Sequence, residues 1–148
     1  MPKPGTARKL LVVEDELSYL ELIVLKCEKI GFDVISARTV DEAQYLLKEL
    51  ATVELKPVTV DAIWLDHFLP DKNGNDFLTA VRQDSAWKDI PVFLVTNAIE
   101  TDIVNWYLRN GAVQYYAKVT TPIETVIAAI DLYLQQHPTP PLATPAAT

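Results

Sequence analysis

Four apolar stretches of the chain each end in residues that could act together. Leu-Leu-Val-Val runs into Glu14-Asp15-Glu16, Trp-Leu into Asp66, Phe-Leu-Val into Thr96, and Tyr-Tyr-Ala into Lys118. Taken singly, none is informative. A carboxylate after an apolar run is more often a loop residue or a helix cap, and a threonine there is more often structural. Taken together, a carboxylate cluster, a hydroxyl and an ammonium suit one reaction. Clustered carboxylates repel, and an oxygen-ligated Mg²⁺ relieves that repulsion. A carboxylate beside Mg²⁺ can attack phosphorus and form an acyl phosphate. The dianionic product then needs a cation and a hydroxyl donor, which Lys118 and Thr96 would supply.

These residues can meet only if the apolar stretches are neighbouring strands. The residue pattern predicts five strands, at 9–13, 33–37, 61–65, 91–95 and 113–117, alternating with five helices. Leu17, Leu20, Val24, Cys27 and Ile30 recur at helical spacing, and Gly31 follows as a stop. Thr39-Val-Asp-Glu42 has the capping-box pattern before Ala43, Leu46, Leu47 and Leu50. A short helix begins near Gly74 with Phe77, Leu78 and Val81. Ile99, Ile103, Trp106, Tyr107 and Asn110 trace the next, which Gly111 ends. Thr121-Pro-Ile-Glu124 opens the last helix, with Thr121 as its cap and the stripe Ile123, Val126, Ile127, Ile130 and Tyr133. Strict alternation predicts an α/β fold: a doubly wound, five-stranded parallel sheet with helices on both faces. Strands apolar on both faces fit it. Such sheets bind ligands at the carboxyl ends of their strands.

Composition bounds the remaining choices. The chain has 148 residues, 49% of them apolar, enough for one well-formed core. The folded part is expected at 9–136. The Pro/Thr/Ala-rich stretch 137–148 reads as a tail or linker, and 1–8 as similarly loose. A net charge of −7 argues against direct, non-specific nucleic-acid binding. No apolar run is long enough for a signal-peptide core or a membrane span. The single cysteine, Cys27, excludes an intrachain disulfide and reads as a small buried hydrophobe. A cytoplasmic setting fits.

The motifs resemble the receiver domain of two-component response regulators, and the size is similar to the single-domain chemotaxis type. The resemblance covers 9–136. It rests on Leu-Leu-Val-Val-Glu14-Asp15-Glu, Trp-Leu-Asp66-His-Phe-Leu-Pro70-Asp-Lys-Asn-Gly74, Phe-Leu-Val-Thr96-Asn-Ala and Gly111-Ala-Val-Gln-Tyr115-Tyr-Ala-Lys118. It implies the flavodoxin-like strand order 2-1-3-4-5. It implies that Asp66 accepts the phosphoryl group. Mg²⁺ would be ligated by Asp15, by Glu14 through water, by Asp66 and by the backbone carbonyl of Phe68. Lys118 would pair with the phosphoryl oxygens, Thr96 would move to bond them, and Tyr115 would swing inward behind Thr96. Pro70 and Gly74 would shape the loop. The implied partners are a sensor histidine kinase or a histidine phosphotransfer protein, and an output protein whose identity stays open, as does a homodimer. The readout surface is expected on the fourth helix, fifth strand and fifth helix, with Trp106 or Tyr107 showing at the surface.

The chain departs from the family at several positions. Val119 stands where a proline usually follows the lysine. Asn97 stands where Ala or Gly is common after the threonine, and Phe68 where smaller or polar residues are frequent. The segment 51–60 is long. His67 is expected to be a solvent-facing loop residue, and His137 to have no role. With two histidines so far apart, zinc is not expected.

Three rival readings meet the same residues. A haloacid-dehalogenase-type hydrolase would need a second Asp at position 68, where Phe68 stands. A flavodoxin-type electron carrier would need a phosphate-cradling loop where Glu14-Asp15-Glu16 would repel the phosphate. A phosphorylation-independent, receiver-like interaction module would usually lack the acceptor, the metal ligands or the lysine, all of which are present. The expectation is therefore a switch that catalyses only its own phosphorylation and dephosphorylation.

Overall fold

The structure, a computed structural model, describes residues 7–52, 58–98 and 100–138. The elements run β1 (Lys9–Val13), α1 (Leu17–Ile30), β2 (Asp33–Ala37), α2 (Val40–Ala51), β3 (Ala62–Leu65), α3 (Gly74–Gln83), β4 (Val92–Thr96), α4 (Thr101–Arg109), β5 (Ala112–Ala117) and α5 (Ile123–Gln136). The strands form one parallel sheet in the order β2-β1-β3-β4-β5. Fold class and strand order are those expected, and observed boundaries differ from expected ones by a residue or two.

Period-two alternation divides the core. Leu11, Val13, Ile63, Leu65, Val92 and Leu94 face one side with α2, α3 and α4; Leu10, Val12, Ala62, Trp64, Phe93 and Val95 face the other with α1 and α5. β3 and β4 are buried throughout, and β1 from Leu10 onward, as a doubly covered parallel sheet requires. The edge strands β2 and β5 are only partly covered, so burial on both faces holds for the inner three alone.

Strand β5 carries a feature that alternation cannot show. Val92 pairs with Ala112, but Phe93 pairs with Gln114, so one extra residue is inserted. The phase of β5 therefore flips. Ala112 and Tyr115 pack on the α4 side, whereas Val113 and Tyr116 pack on the α5 side. Without the irregularity Tyr115 would share a face with Val113.

Helix ends follow local chemistry, with one correction. Gly31 and Gly111 close α1 and α4 at φ of 100° and 94°, where a Cβ would be strained. The Thr39 hydroxyl accepts from the Glu42 N–H at 3.0 Å, while the Glu42 carboxylate takes the N–H of Arg38 rather than that of Thr39. Thr121 does not cap α5: the helix starts at Ile123 with Pro122 as its N-cap and no side-chain cap bond. Pro122 fixes the entry instead, through its rigid φ of −59°. Ile99, residues 53–57 of the long segment, residues 1–6 and residues 139–148 lie outside the described residues.

Arg82 joins the loops at the other end of the sheet. Its guanidinium donates to the carbonyls of Lys88 (3.1 Å), Ile90 (2.9 Å), Asn110 (3.3 Å) and Gly111 (3.0 Å). Only the forked geometry of arginine serves so many acceptors. Arg82→Met should cost about 1–3 kcal/mol of stability. A lower urea midpoint at unchanged m-value would show it, and Arg82→Lys should recover only part of the loss.

Candidate functional site

The carboxyl ends of β1, β3, β4 and β5 bring the expected residues together. Backbone pairing sets their level: the Glu14 N–H donates to the Ala37 carbonyl at 3.0 Å, and the Asp66 N–H to the Val13 carbonyl at 3.1 Å. Glu14 and Thr96 are fully buried, and Asp66 is 3% exposed. Lys118 reaches across from β5. Its ammonium donates to both Glu14 oxygens at 2.9 and 3.0 Å and to Asp66 Oδ2 at 2.9 Å. Asp15, half-buried, offers a third carboxylate, and one oxygen from each of Glu14, Asp15 and Asp66 lies within 4.8 Å of the others.

This donor set fits a hard divalent cation. It is built of oxygen ligands, and three carboxyl groups face a single ammonium, so once all three are ionised there is excess negative charge for a metal to balance. Mg²⁺ keeps several waters when it binds few carboxylates, which suits a cluster at the rim of a sheet. Burial, then the hydrogen bond and charge of Asp66, push the Glu14 carboxyl from its usual 4.5 up to about 8, against the pull of Lys118. Burial alone would lower the Lys118 ammonium, but its bonds to Glu14 and Asp66 outweigh that and raise it.

Around the cluster, the loops bind their own groups. Thr96 Oγ1 accepts from the Ala98 N–H at 3.4 Å, and the Thr96 carbonyl accepts from the Lys118 N–H at 3.0 Å. The Tyr115 hydroxyl donates to the Ala98 carbonyl at 3.0 Å. The Phe68 N–H donates to Asp66 Oδ1 at 3.3 Å, and the Phe68 side chain is exposed. The Asn97 side chain turns to the far loop, where its Oδ1 accepts from the Val119 N–H at 3.1 Å. Gly74 is obligatory: a Cβ there would collide with the Asp66 carbonyl and lie 2.8 Å from the Tyr107 hydroxyl.

Two expectations are corrected. His67 is not solvent-facing. It is 5% exposed, its Nδ1 lies 2.6 Å from the Tyr107 hydroxyl, and burial lowers its pKa. Tyr107 is fully buried and cannot be a surface anchor; Trp106, half-buried beside it, is the one that shows. The reason is that the His67 side chain, at the start of the β3–α3 turn, packs edge to face on the Tyr107 ring of α4, with centroids 5.5 Å apart. His137, expected to do nothing, stacks on Tyr133 with ring centroids 4.1 Å apart.

The sequence reading missed two further residues. The ring of Tyr19 covers the Lys118 ammonium at 5.0 Å, while burial pushes its hydroxyl up to about 12. Its place one turn into α1, just past the acidic motif, was a usable signal. Asp71 accepts the Val40 and Asp41 N–H groups at 2.9 Å each and so caps α2 from a distant loop, for which no local signal exists.

The comparisons with known proteins agree with this geometry. A sequence model of the response regulator receiver domain matches residues 10–131. The chain belongs to the response regulator receiver domain family. The chain is 33% identical over 120 residues to the phosphate regulon transcriptional regulatory protein PhoB of Escherichia coli, covering 81% of this chain and 49% of that protein. It is 32% identical over 131 residues to the transcriptional regulatory protein CitT of Halalkalibacterium halodurans, covering 87% and 53%. The receiver domain thus spans about half the length of the curated relatives it matches. Among solved structures, a CheY-like receiver domain protein of Methanospirillum hungatei superposes with TM-score 0.76 at 19% identity, covering 88% of this chain and 95% of that one. The HemR receiver domain of Leptospira biflexa superposes with TM-score 0.72 at 22% identity, covering 95% and 99%. No described helix is long and apolar enough to cross a membrane.

The state of Glu14 makes the stability of this receiver domain depend on pH. Its value in the folded chain, about 8, lies above the usual 4.5, so between those values the folded state holds the extra proton. Without divalent cations, stability should therefore fall as pH rises through that window. Urea titrations at pH 5, 6.5 and 8 would measure it. Glu14→Gln should flatten the fall, and Mg²⁺ should raise stability most at the alkaline end, where Glu14 is ionised.

Proposed function

We propose that this receiver domain, folded over 9–136 with 137–148 as tail or linker, is a phosphoryl-accepting switch in which Asp66 is the nucleophile. The observation that carries this reading is the Lys118 ammonium held at 2.9 Å from Asp66, with Glu14 and Asp15 beside it. An Asp66 oxygen attacks the phosphorus of a phosphohistidine on a sensor kinase or phosphotransfer protein. The P–N bond breaks, the imidazole leaves with its electron pair and takes a proton, and an acyl phosphate forms. Glu14, Asp15, Asp66 and the Phe68 carbonyl would hold Mg²⁺, which supplies charge neutralisation for the incoming phosphoryl group.

The chain's own residues do the rest. Lys118 orients Asp66 through their 2.9 Å contact, then pairs with phosphoryl oxygens. Thr96 offers its hydroxyl to the phosphate, and Tyr115, now tied to the Ala98 carbonyl, is released to move inward. No group stands two residues after Asp66 to drive turnover, so the chemistry is limited to loading and loss of one phosphoryl group. Phosphorylation acts by shifting populations, and only a partner that distinguishes the two states reads it. Mycobacterium leprae MtrA, a 34% identical relative, is a DNA-binding response regulator, and this chain spans 48% of it. A DNA-binding output is therefore one reading of what this domain controls, in a cytoplasmic setting.

Incubation with acetyl phosphate and Mg²⁺ should place one acid-stable, base-labile phosphoryl group on Asp66, located by mass spectrometry. Asp66→Asn should abolish it, and Lys118→Met should slow labelling at least tenfold. Equal labelling of Asp66→Asn would sink the assignment, and an unlabelled wild-type chain would leave an interaction module that works without phosphate.

A further inference from the structure

Helix α4 is held differently from its neighbours. The helices α1, α3 and α5 bury three, four and five residues, whereas α4 fully buries only Tyr107. That side chain does not end in the apolar core. Its hydroxyl meets His67 Nδ1 at 2.6 Å, with the two rings edge to face at 5.5 Å. His67 directly follows Asp66, and its carbonyl accepts the Gly74 N–H at 2.7 Å, closing the turn. The same hydroxyl lies where a Cβ on Gly74 would be 2.8 Å away. The tip of Tyr107 is thus inserted into the turn that carries the acceptor. The far side of that turn is fixed to α2 by Asp71, which takes two N–H groups of its first turn. The turn therefore has one firm attachment, and a second that ends on a lightly held helix.

We propose that the His67–Tyr107 hydrogen bond positions α4 in the resting state and couples it to the occupancy of Asp66. The inference rests on the acceptor reading given above. Any shift of the 66–68 backbone that accommodates a metal and a phosphoryl group must either carry Tyr107 with it or break this bond. Packed elements with two discrete arrangements convert such small shifts into larger ones. The route is separate from that through Thr96 and Tyr115: it enters α4 in its last turn, at Tyr107, whereas Tyr115 grips the Ala98 carbonyl in the loop before the helix. His67 and Tyr107 act through the turn, as positioning residues.

Coupling is reciprocal, so a contact that favours the resting state must oppose occupancy of Asp66. Beryllofluoride with Mg²⁺, a phosphoryl mimic for carboxylates, is the probe. Tyr107→Phe and His67→Leu should each bind it about three- to tenfold tighter than wild type, the loss of one hydrogen bond. His67→Asn, which keeps a hydrogen-bonding atom near the position of Nδ1, should stay within twofold. Amide exchange over 101–109 in ligand-free Tyr107→Phe should rise toward that of the loaded wild-type chain, with α5 unchanged. Simple loss of packing would lower the urea midpoint without tightening beryllofluoride. Unchanged or weaker binding in both Tyr107→Phe and His67→Leu overturns the inference; if Tyr107→Phe does not fold, the His67→Leu and His67→Asn pair decides. A wild-type chain that takes up no beryllofluoride loses the acceptor reading and this inference with it. Variants that merely match a binding-competent wild type lose this inference alone.

Discussion

The ammonium of Lys118 is what allows two carboxylates to lie side by side beneath the rim of the sheet. Glu14 has no exposure and Asp66 almost none, so without a cation their repulsion would act with little screening. The three groups are far apart in the chain, with Asp66 and Lys118 separated by 52 positions and Glu14 and Lys118 by 104. Parallel pairing removes that distance. It places β1 and β3 side by side, with β5 one strand beyond β4, and a long, straight side chain closes the remaining gap. A shorter cation could not, and the planar fork of an arginine would demand a different arrangement of acceptors.

What the sequence disclosed and what it hid divide along one line. The inner strands, the acidic motif, Asp66, Thr96 and Lys118 were legible because each follows from a local pattern: an apolar run, then the polar residue that ends it. The glycines that stop α1 and α4 were legible for the same reason. The cap of α2 by Asp71, the burial of His67 against Tyr107 and the inserted residue in β5 were not, because each is decided by a partner distant in sequence. Thr121 shows the reverse case, a correct local signal that the fold leaves unused while Pro122 sets the entry of α5.

The phase change in β5 has particular weight for the site. It lets one strand face two ways, so that Tyr115 reaches the loop before α4 while Tyr116 packs toward α5. The turn after β3 is constrained more tightly still. Gly74, the Phe68–Asn73 bridge, Asp71 and the Tyr107 hydroxyl leave it little freedom, and Asp66 stands at its first residue. The tightly tied turn at Asp66 and the lightly buried α4 are adjacent, and the side chain of Tyr107 joins them.

The bond between Asn97 and Val119 joins two departures from the family's usual residues. A proline after the lysine has no N–H; a valine there brings a donor to the exposed loop. Asn97 supplies the acceptor from the neighbouring loop. The two residues act as a pair: proline at 119 or alanine at 97 would each remove this loop-to-loop bond, leaving the freed exposed group to water. In this receiver domain the loop beside the acidic cluster is thus fastened by a side chain instead of by a ring.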